Sequence, residues 1–176
     1  GLRQVKQMDY AVAALKKIRR HQRTFQLLIA GPLLEPSATA DLNEALRVHP
    51  WIRYLGEVPR NQVPSLIEQS DLVLNTSRSE SESNAILEAL SFGRIVIARD
   101  IPGNAYLGSG AAGLLFRNRK ELERQLLAVL EQPERWAAVG KRARRRIAAL
   151  HRPDREMKAY AALYRDVSRA SPRALR

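Results

Sequence analysis

The chain contains no cysteine, which excludes disulfide staples and thiolate metal sites. Its three histidines, His21, His49 and His151, are scattered without metal-ligand spacing. No run of about eighteen apolar residues is present, so no transmembrane helix is expected, and the opening residues do not read as a secretory signal. Aromatic residues make up only 6% of the chain and are not interleaved with the basic ones, which argues against a nucleic-acid stacking surface. With these classes set aside, a cytoplasmic placement is expected, with peripheral docking on an anionic membrane as an alternative.

What is present is 45% apolar residues over 176 positions, enough for one domain with a real core. The net charge is +12, and from Arg117 onward there are 17 Lys or Arg against 7 Asp or Glu. The excess is therefore concentrated in the last third, densest at Lys141-Arg142-Ala143-Arg144-Arg145-Arg146. A solvated arginine-rich helix face explains such a cluster most simply. Attraction to anionic lipid headgroups or an acidic acceptor ranks next, and nucleic acid last.

The stretch Leu72 to Asn104 carries most of the chemistry. Leu72-Val73-Leu74 reads as a short buried strand, and Asn75 to Ser83 is too polar for a core. A helix is expected from Asn84 to about Phe92, stopped by Gly93, with Ile86, Leu87 and Leu90 facing inward. Arg94 to Ala98 is the next buried strand. Two glutamates flank the helix start, Glu80 in the loop and Glu88 one turn inside. Asn84 and Glu88, four apart, share a helix face. A helix N-terminus with unpaired N–H groups attracts anions. Carboxylates on either side suit a ligand whose hydroxyls flank phosphate, as in a nucleotide sugar.

In chain order, a helix is expected over Met8–Arg20, a strand over Phe25–Ala30 closed by Gly31-Pro32, and a helix opened by Ser37 and lasting to Val48. A strand over Trp51–Leu55 ends at Gly56, and a short helix finishes near Gln69. After Pro102-Gly103-Asn104, read as a turn, come a strand at Gly113–Phe116 and helices over Lys120–Glu131, Glu134–Leu150 and Asp154–Arg169. Residues 1–170 form the domain, and Ser171 to Arg176 a frayed tail. Alternating strands and helices imply an α/β fold, a doubly wound and mostly parallel Rossmann-like sheet with helices on both faces. Ligands bind such sheets beyond the carboxyl ends of the strands. Gly1 to Lys6 enters the first helix as a further strand would, with that strand lying upstream. Arg3 and Lys6 then share the rim with Glu80.

Taken together, Gly1-Leu2-Arg3 with Lys6, the Gly31 and Gly56 turns, Glu80, Asn84 to Ala89 and Gly113 to Phe116 resemble the donor-binding, C-terminal half of retaining GT-B-fold glycosyltransferases of family 4. Arg3-Gln4-Val5-Lys6 with Ala98 to Asn104 is most similar to that family's "glycosyltransferase 1 domain-containing" branch. The resemblance implies a metal-independent transferase acting on a nucleotide-sugar donor, a UDP-sugar in preference to a GDP-sugar, of hexosyl or N-acetylhexosaminyl type. It implies that Arg3 and Lys6 hold the diphosphate and that Glu80 meets the sugar hydroxyls. Backbone N–H groups of Ser83, Asn84 and Ala85 would cradle phosphate, Glu88 would take the ribose, and Tyr54, Leu55 and Gly56 would face the base. No cofactor or metal is implied. Each residue has a plainer explanation too: Arg3 and Lys6 as surface cations, Glu80 and Glu88 as surface acids, Asn84 as a helix cap, Tyr54 as core.

Two departures from the family pattern stand out. Ser81-Glu82 follows Glu80 where a glycine and an apolar residue are usual, and Glu82 is expected to point away from a diphosphate. The Arg3-to-Lys6 spacing is also short. The resemblance further implies a preceding N-terminal acceptor domain, so this half alone is expected to be inactive. The apolar stripe of the last helix (Tyr160, Leu163, Tyr164, Val167) is expected to pack on that other half. A GT-B-fold sugar-nucleotide epimerase and a basic nucleic-acid-binding domain remain as rival readings.

Overall fold

The computed structural model describes residues 1–20, 25–107 and 113–169. After a 3-10 turn at Gln4–Lys6 come α1 (Met8–Ile18), β1 (Leu27–Ile29), α2 (Pro36–Val48), β2 (Ile52–Tyr54), α3 (Val63–Glu68), β3 (Leu72–Asn75) and α4 (Asn84–Ser91). Then follow β4 (Ile95–Arg99), a 3-10 helix at Pro102–Leu107, β5 (Leu114–Phe116), α5 (Arg119–Glu131), α6 (Pro133–Leu150) and α7 (Pro153–Arg169). The expected tail, Ser171 to Arg176, lies outside the described residues.

Every described strand pair is parallel. β1 pairs with β2, and β3–β4–β5 form a second ladder. Gly1 to Lys6 lies between the two ladders at their carboxyl ends. Leu2 N donates to Pro32 O (2.7 Å), Leu34 N donates to Leu2 O (3.1 Å), and on the other side Arg78 N donates to Val5 O (2.9 Å). These bonds tie the segment to both ladders, so the expected parallel α/β sheet is present as two hydrogen-bonded ladders with Gly1 to Lys6 between them.

β4 explains the layering. Successive strand residues face opposite sides, so Ile95 and Ile97 enter one core while Val96 and Ala98 enter another. The first core joins α1, α5 and Phe116; the second joins α4 and α6 through Ile86, Leu90 and Ala143. Burial on both faces is why this strand is an unbroken apolar run. The second core is closed by a crossing of α4 and α6 at which Gly140 sits directly on the carbonyl of Gly93, leaving no room for a Cβ.

Element ends differ from expectation for identifiable reasons. α2, α6 and α7 begin at Pro36, Pro133 and Pro153, because proline's fixed φ and missing N–H fit the first helical position. Glu35, not Ser37, caps α2. The expected turn at Pro102-Gly103-Asn104 is the start of a longer 3-10 helix. No helix among the described residues is long and apolar enough to cross a membrane. On α7, Met157, Tyr160, Leu163, Tyr164 and Val167 are all exposed.

Candidate functional site

The site is built where the loop after β3 meets the turn before α1. Glu80 is the hub: its Oε1 accepts from Lys6 Nζ (2.6 Å), Ser77 Oγ (2.7 Å) and Asn75 Nδ2 (3.2 Å). Oε2 accepts from no described group. The side chain of Glu80 is only 12% exposed against 40% for Lys6, so the pair sits at the rim with its carboxylate end sunk inward. Burial would raise the Glu80 carboxyl, but hydrogen bonds from Lys6, Ser77 and Asn75, with the Lys6 charge, outweigh it and hold it below its ordinary value near 4.5.

That direction has a measurable consequence. A carboxyl whose folded-state pKa is depressed contributes stability above its unfolded value and loses it as pH falls through the folded one. Glu80→Gln should therefore be less stable than the parent near neutrality. The gap should close as pH is lowered below about 4.5, where the parent's carboxylate protonates. Urea midpoints at pH 7 and at about pH 3.5 check this; a constant gap would remove the charge as its cause.

The surrounding polar side chains lock the two segments together. Thr76 and Ser77 are buried, and the Thr76 hydroxyl lies 2.8 Å from Lys6 O and 3.0 Å from Gln7 O. Gln7 adopts a left-handed backbone (φ 49°) between the 3-10 turn and α1. Gln4 N donates to the Glu35 carboxylate (2.7 Å), which fixes the other end of the turn. From β4, Arg99 reaches back over this junction. Its Nε donates to Thr76 O (3.1 Å) and its guanidinium to Gln7 Oε1 (2.9 Å).

α4 starts at Asn84 with Ser83 as its cap residue, whose side chain bonds no helix N–H. Asn84 is thus the first helical residue and not the cap. No described group accepts from the N–H groups of Ser83, Asn84 or Ala85, leaving a helix N-terminus of positive character beside Glu80. Glu88 is half-buried, and its carboxylate has no described partner. Arg3 is exposed, and its guanidinium likewise bonds no described group. Glu82 is exposed as well; its charge, with that of Glu80, adds to burial in pushing the Tyr106 phenol up to about 12.

Tyr54, Leu55 and Gly56 lie at the carboxyl end of β2, away from this cluster. The Tyr54 hydroxyl donates to Gly31 O (2.8 Å), and its ring packs beside Leu2 and Leu42. Gly31 and Gly56 both have positive φ (125° and 70°) and are joined by a 2.7 Å bond from Gly31 N to Gly56 O. Sequence reading missed Asn75, Ser77 and Arg99, which hold the glutamate and its turn. The one available signal was their place in strand-end loops at the ligand-binding edge. A separate open hollow of about 580 Å³ against β5 and α5 is lined by Asp100, Arg117 and Gln125 among others. None of the expected site residues lines it; of its four charged residues, Asp100 and Arg117 pair with each other (2.9 Å), and Glu121 and Arg124 complete the set.

A half-buried carboxylate with one oxygen that accepts from no described group, a lysine at its side and an open helix N-terminus are suited to a ligand carrying hydroxyls and phosphate. Residues 1–132 match the family described as "Glycosyl transferases group 1". The chain belongs to that family. This glycosyltransferase domain is 30% identical over 164 residues to "Glycosyltransferase 1 domain-containing protein 1" of Xenopus tropicalis, covering 93% of the chain and 48% of that protein. Among solved structures it is similar to a glycosyltransferase of Rickettsia africae (TM-score 0.83, 19% identity, 95% of this chain and 46% of that one). It is also similar to Anabaena HepE, solved in complex with UDP-glucose (TM-score 0.75, 21% identity, 84% and 42%). The fold of this glycosyltransferase domain is thus the parallel α/β fold of GT-B glycosyltransferases. The chain spans 48% of the Xenopus protein and about a third of other curated relatives it matches.

Proposed function

We propose that this domain binds a nucleotide-sugar donor and, with an acceptor-binding domain, transfers the sugar with retention of configuration, as a family 4 enzyme. The observation that carries the reading is Glu80: its Oε1 accepts from Lys6, Ser77 and Asn75, while its Oε2 accepts from no described group, three residues before the cap of a helix whose first N–H groups are open. In this reading Oε2 takes hydroxyls of the transferred sugar, while N–H groups of Ser83 to Ala85 and the cations Arg3 and Lys6 take the diphosphate. An ammonium has three donors, so Lys6 can keep Glu80 and still bond a phosphate oxygen. Glu88 takes the ribose, and Tyr54 to Gly56 flank the base.

Transfer breaks the bond from the sugar's anomeric carbon to the diphosphate and forms one to the acceptor oxygen, whose proton passes to the departing phosphate. Charge develops on that phosphate, and Lys6, Arg3 and a helix N-terminus stabilise it without a required metal. HepE was solved with UDP-glucose, which favours a uridine diphosphate donor, of hexosyl or N-acetylhexosaminyl type, over a guanosine one. The match to less than half of each relative's length supports a second domain for the acceptor. The cytoplasm is the proposed location, with the arginine-rich face of α6 available to anionic headgroups.

Calorimetric titration of the chain with UDP, GDP, ADP and their sugar conjugates, with and without magnesium, tests the reading. One nucleotide is expected to bind selectively. Lys6→Met is expected to weaken it about tenfold, the scale of one charge-assisted hydrogen bond. Silence to every nucleotide in a protein that also contains the acceptor domain would overturn the assignment. Salt-sensitive binding of unrelated nucleic acids alone would favour the rival basic-domain reading.

A further inference from the structure

Arg99 lies at the carboxyl end of β4, and its side chain reaches across to two other segments. Its Nε donates to Thr76 O (3.1 Å), in the loop that carries Glu80, and its terminal nitrogen donates to Gln7 Oε1 (2.9 Å), beside Lys6. Its guanidinium carbon lies 4.4 Å from the Tyr10 ring centroid and 5.5 Å from that of Phe116, so cation–π attraction to α1 and β5 helps to hold the head in place. The Asn104 side chain donates to Arg99 O (3.0 Å), fixing the backbone end as well.

The two segments that Arg99 joins are those that bring Lys6 and Glu80 to 2.6 Å. Between them the direct ties are the Thr76 hydroxyl at Lys6 O and Gln7 O, and Arg78 N to Val5 O. Gln7 is the one described non-glycine residue with positive φ, a conformation that needs support from outside its own segment. Arg99 supplies that support through Gln7's own side chain. A planar, permanently charged fork is suited to holding a carbonyl and an amide oxygen at a fixed separation, which a lysine is not.

We infer that Arg99 is a positioning residue of the donor site: it fixes the turn at Gln7 against the loop at Thr76 and so sets the reach of Lys6 to Glu80 and to the donor diphosphate. It touches neither reacting atoms nor donor. This inference rests on the donor-site reading above, and two readouts separate their failures.

The first readout is a double-mutant cycle on uridine diphosphate affinity, measured calorimetrically with parent, Arg99→Met, Lys6→Met and the double variant, each checked for a cooperative melt. Arg99→Met is expected to weaken binding about tenfold in the parent and by less than about twofold in the Lys6→Met background, because both remove the same positioned cation. Equal losses in the two backgrounds, or no loss in the parent, would overturn the inference. Gln7→Leu cuts the tie to the turn but leaves the Thr76 bond and the aromatic contacts. It should weaken binding severalfold, and unchanged affinity there counts equally against the idea. The second readout needs no ligand: carbon-13 NMR titration of the Glu80 carboxyl. Its pKa is expected to rise in Arg99→Met and Gln7→Leu as Lys6 drifts away. A titration superimposable on the parent's would overturn the positioning role even in a chain that binds nucleotide. A shifted titration would uphold it even where a protein that also contains the acceptor domain is silent to all nucleotides, and that silence would sink only the donor-site reading.

Discussion

Glu80→Gln is expected to lower sugar transfer about 100-fold while leaving uridine diphosphate affinity within about threefold of the parent. The reason is the division of labour between the two carboxylate oxygens. Oε1 takes three donors, Lys6, Ser77 and Asn75, and an amide of the same shape can still offer them its carbonyl oxygen. The amide nitrogen then stands where Oε2 is proposed to accept the sugar hydroxyl, and it can only donate. A sugar hydroxyl that loses a charged acceptor loses roughly 1.5–3 kcal/mol, or about 10- to 150-fold. Uridine diphosphate carries no such sugar, and Lys6, relieved of its anionic partner, is freer to meet phosphate. Turnover in the enzyme with its acceptor domain, set beside calorimetry on the nucleotide alone, tests both halves. A uniform fall in both would place Glu80 on the diphosphate, and full turnover would remove it from the reaction.

The second large effect is expected at Gly103. A Cβ there would fall on the carbonyl carbon and oxygen of Glu80 and on Ser81 O, all backbone atoms. Backbone cannot rotate away as a side-chain tip can, so the 3-10 helix at Pro102–Leu107 and the Glu80 loop would have to part. Overpacking of this kind costs typically about 1–3 kcal/mol. In a chain of this size that lowers Tm by about 2–12 °C. Because the strain lands on the peptide of Glu80 itself, donor affinity should fall with it, unlike a destabilising change elsewhere in the core. A thermal melt and a nucleotide-sugar titration on Gly103→Ala check the two together. An unchanged melting point would mean that the loops separate freely.

The sequence made the layers legible because β4 is apolar at every position from Ile95 to Ala98, and burial on both faces leaves that trace. It also pointed to the Lys6–Glu80 neighbourhood, since Lys6 precedes a helix and Glu80 precedes another at one sheet edge, and the structure brings these two together. It could not reveal what holds them. Ser77 and Asn75 act through one carboxylate oxygen, and serine and asparagine in a loop look alike whether they bond or not. The side chain of Arg99 bonds residues 7 and 76, partners that no local spacing encodes. The starts of α2, α6 and α7 differ from expectation by one residue because proline is the first member of each helix and not the residue before it. Asn84 read equally well as cap or ligand; the backbone gave the cap position to Ser83.

The all-parallel ladder also governs how the chain reaches this state. Leu27 pairs with Ile52, Leu72 with Ile95 and Ile97 with Leu114, so the nearest register partners are 17 residues apart and the others 23 and 25. No hairpin among the described strands can zip locally. Each pairing must first close a crossover, and the entropy of that closure comes before any reward. Glu80 lies inside the β3–β4 crossover, and Lys6 lies upstream of every described strand, 74 residues earlier in the chain. The ion pair at the centre of the site is therefore a late contact, formed after the strands that frame it.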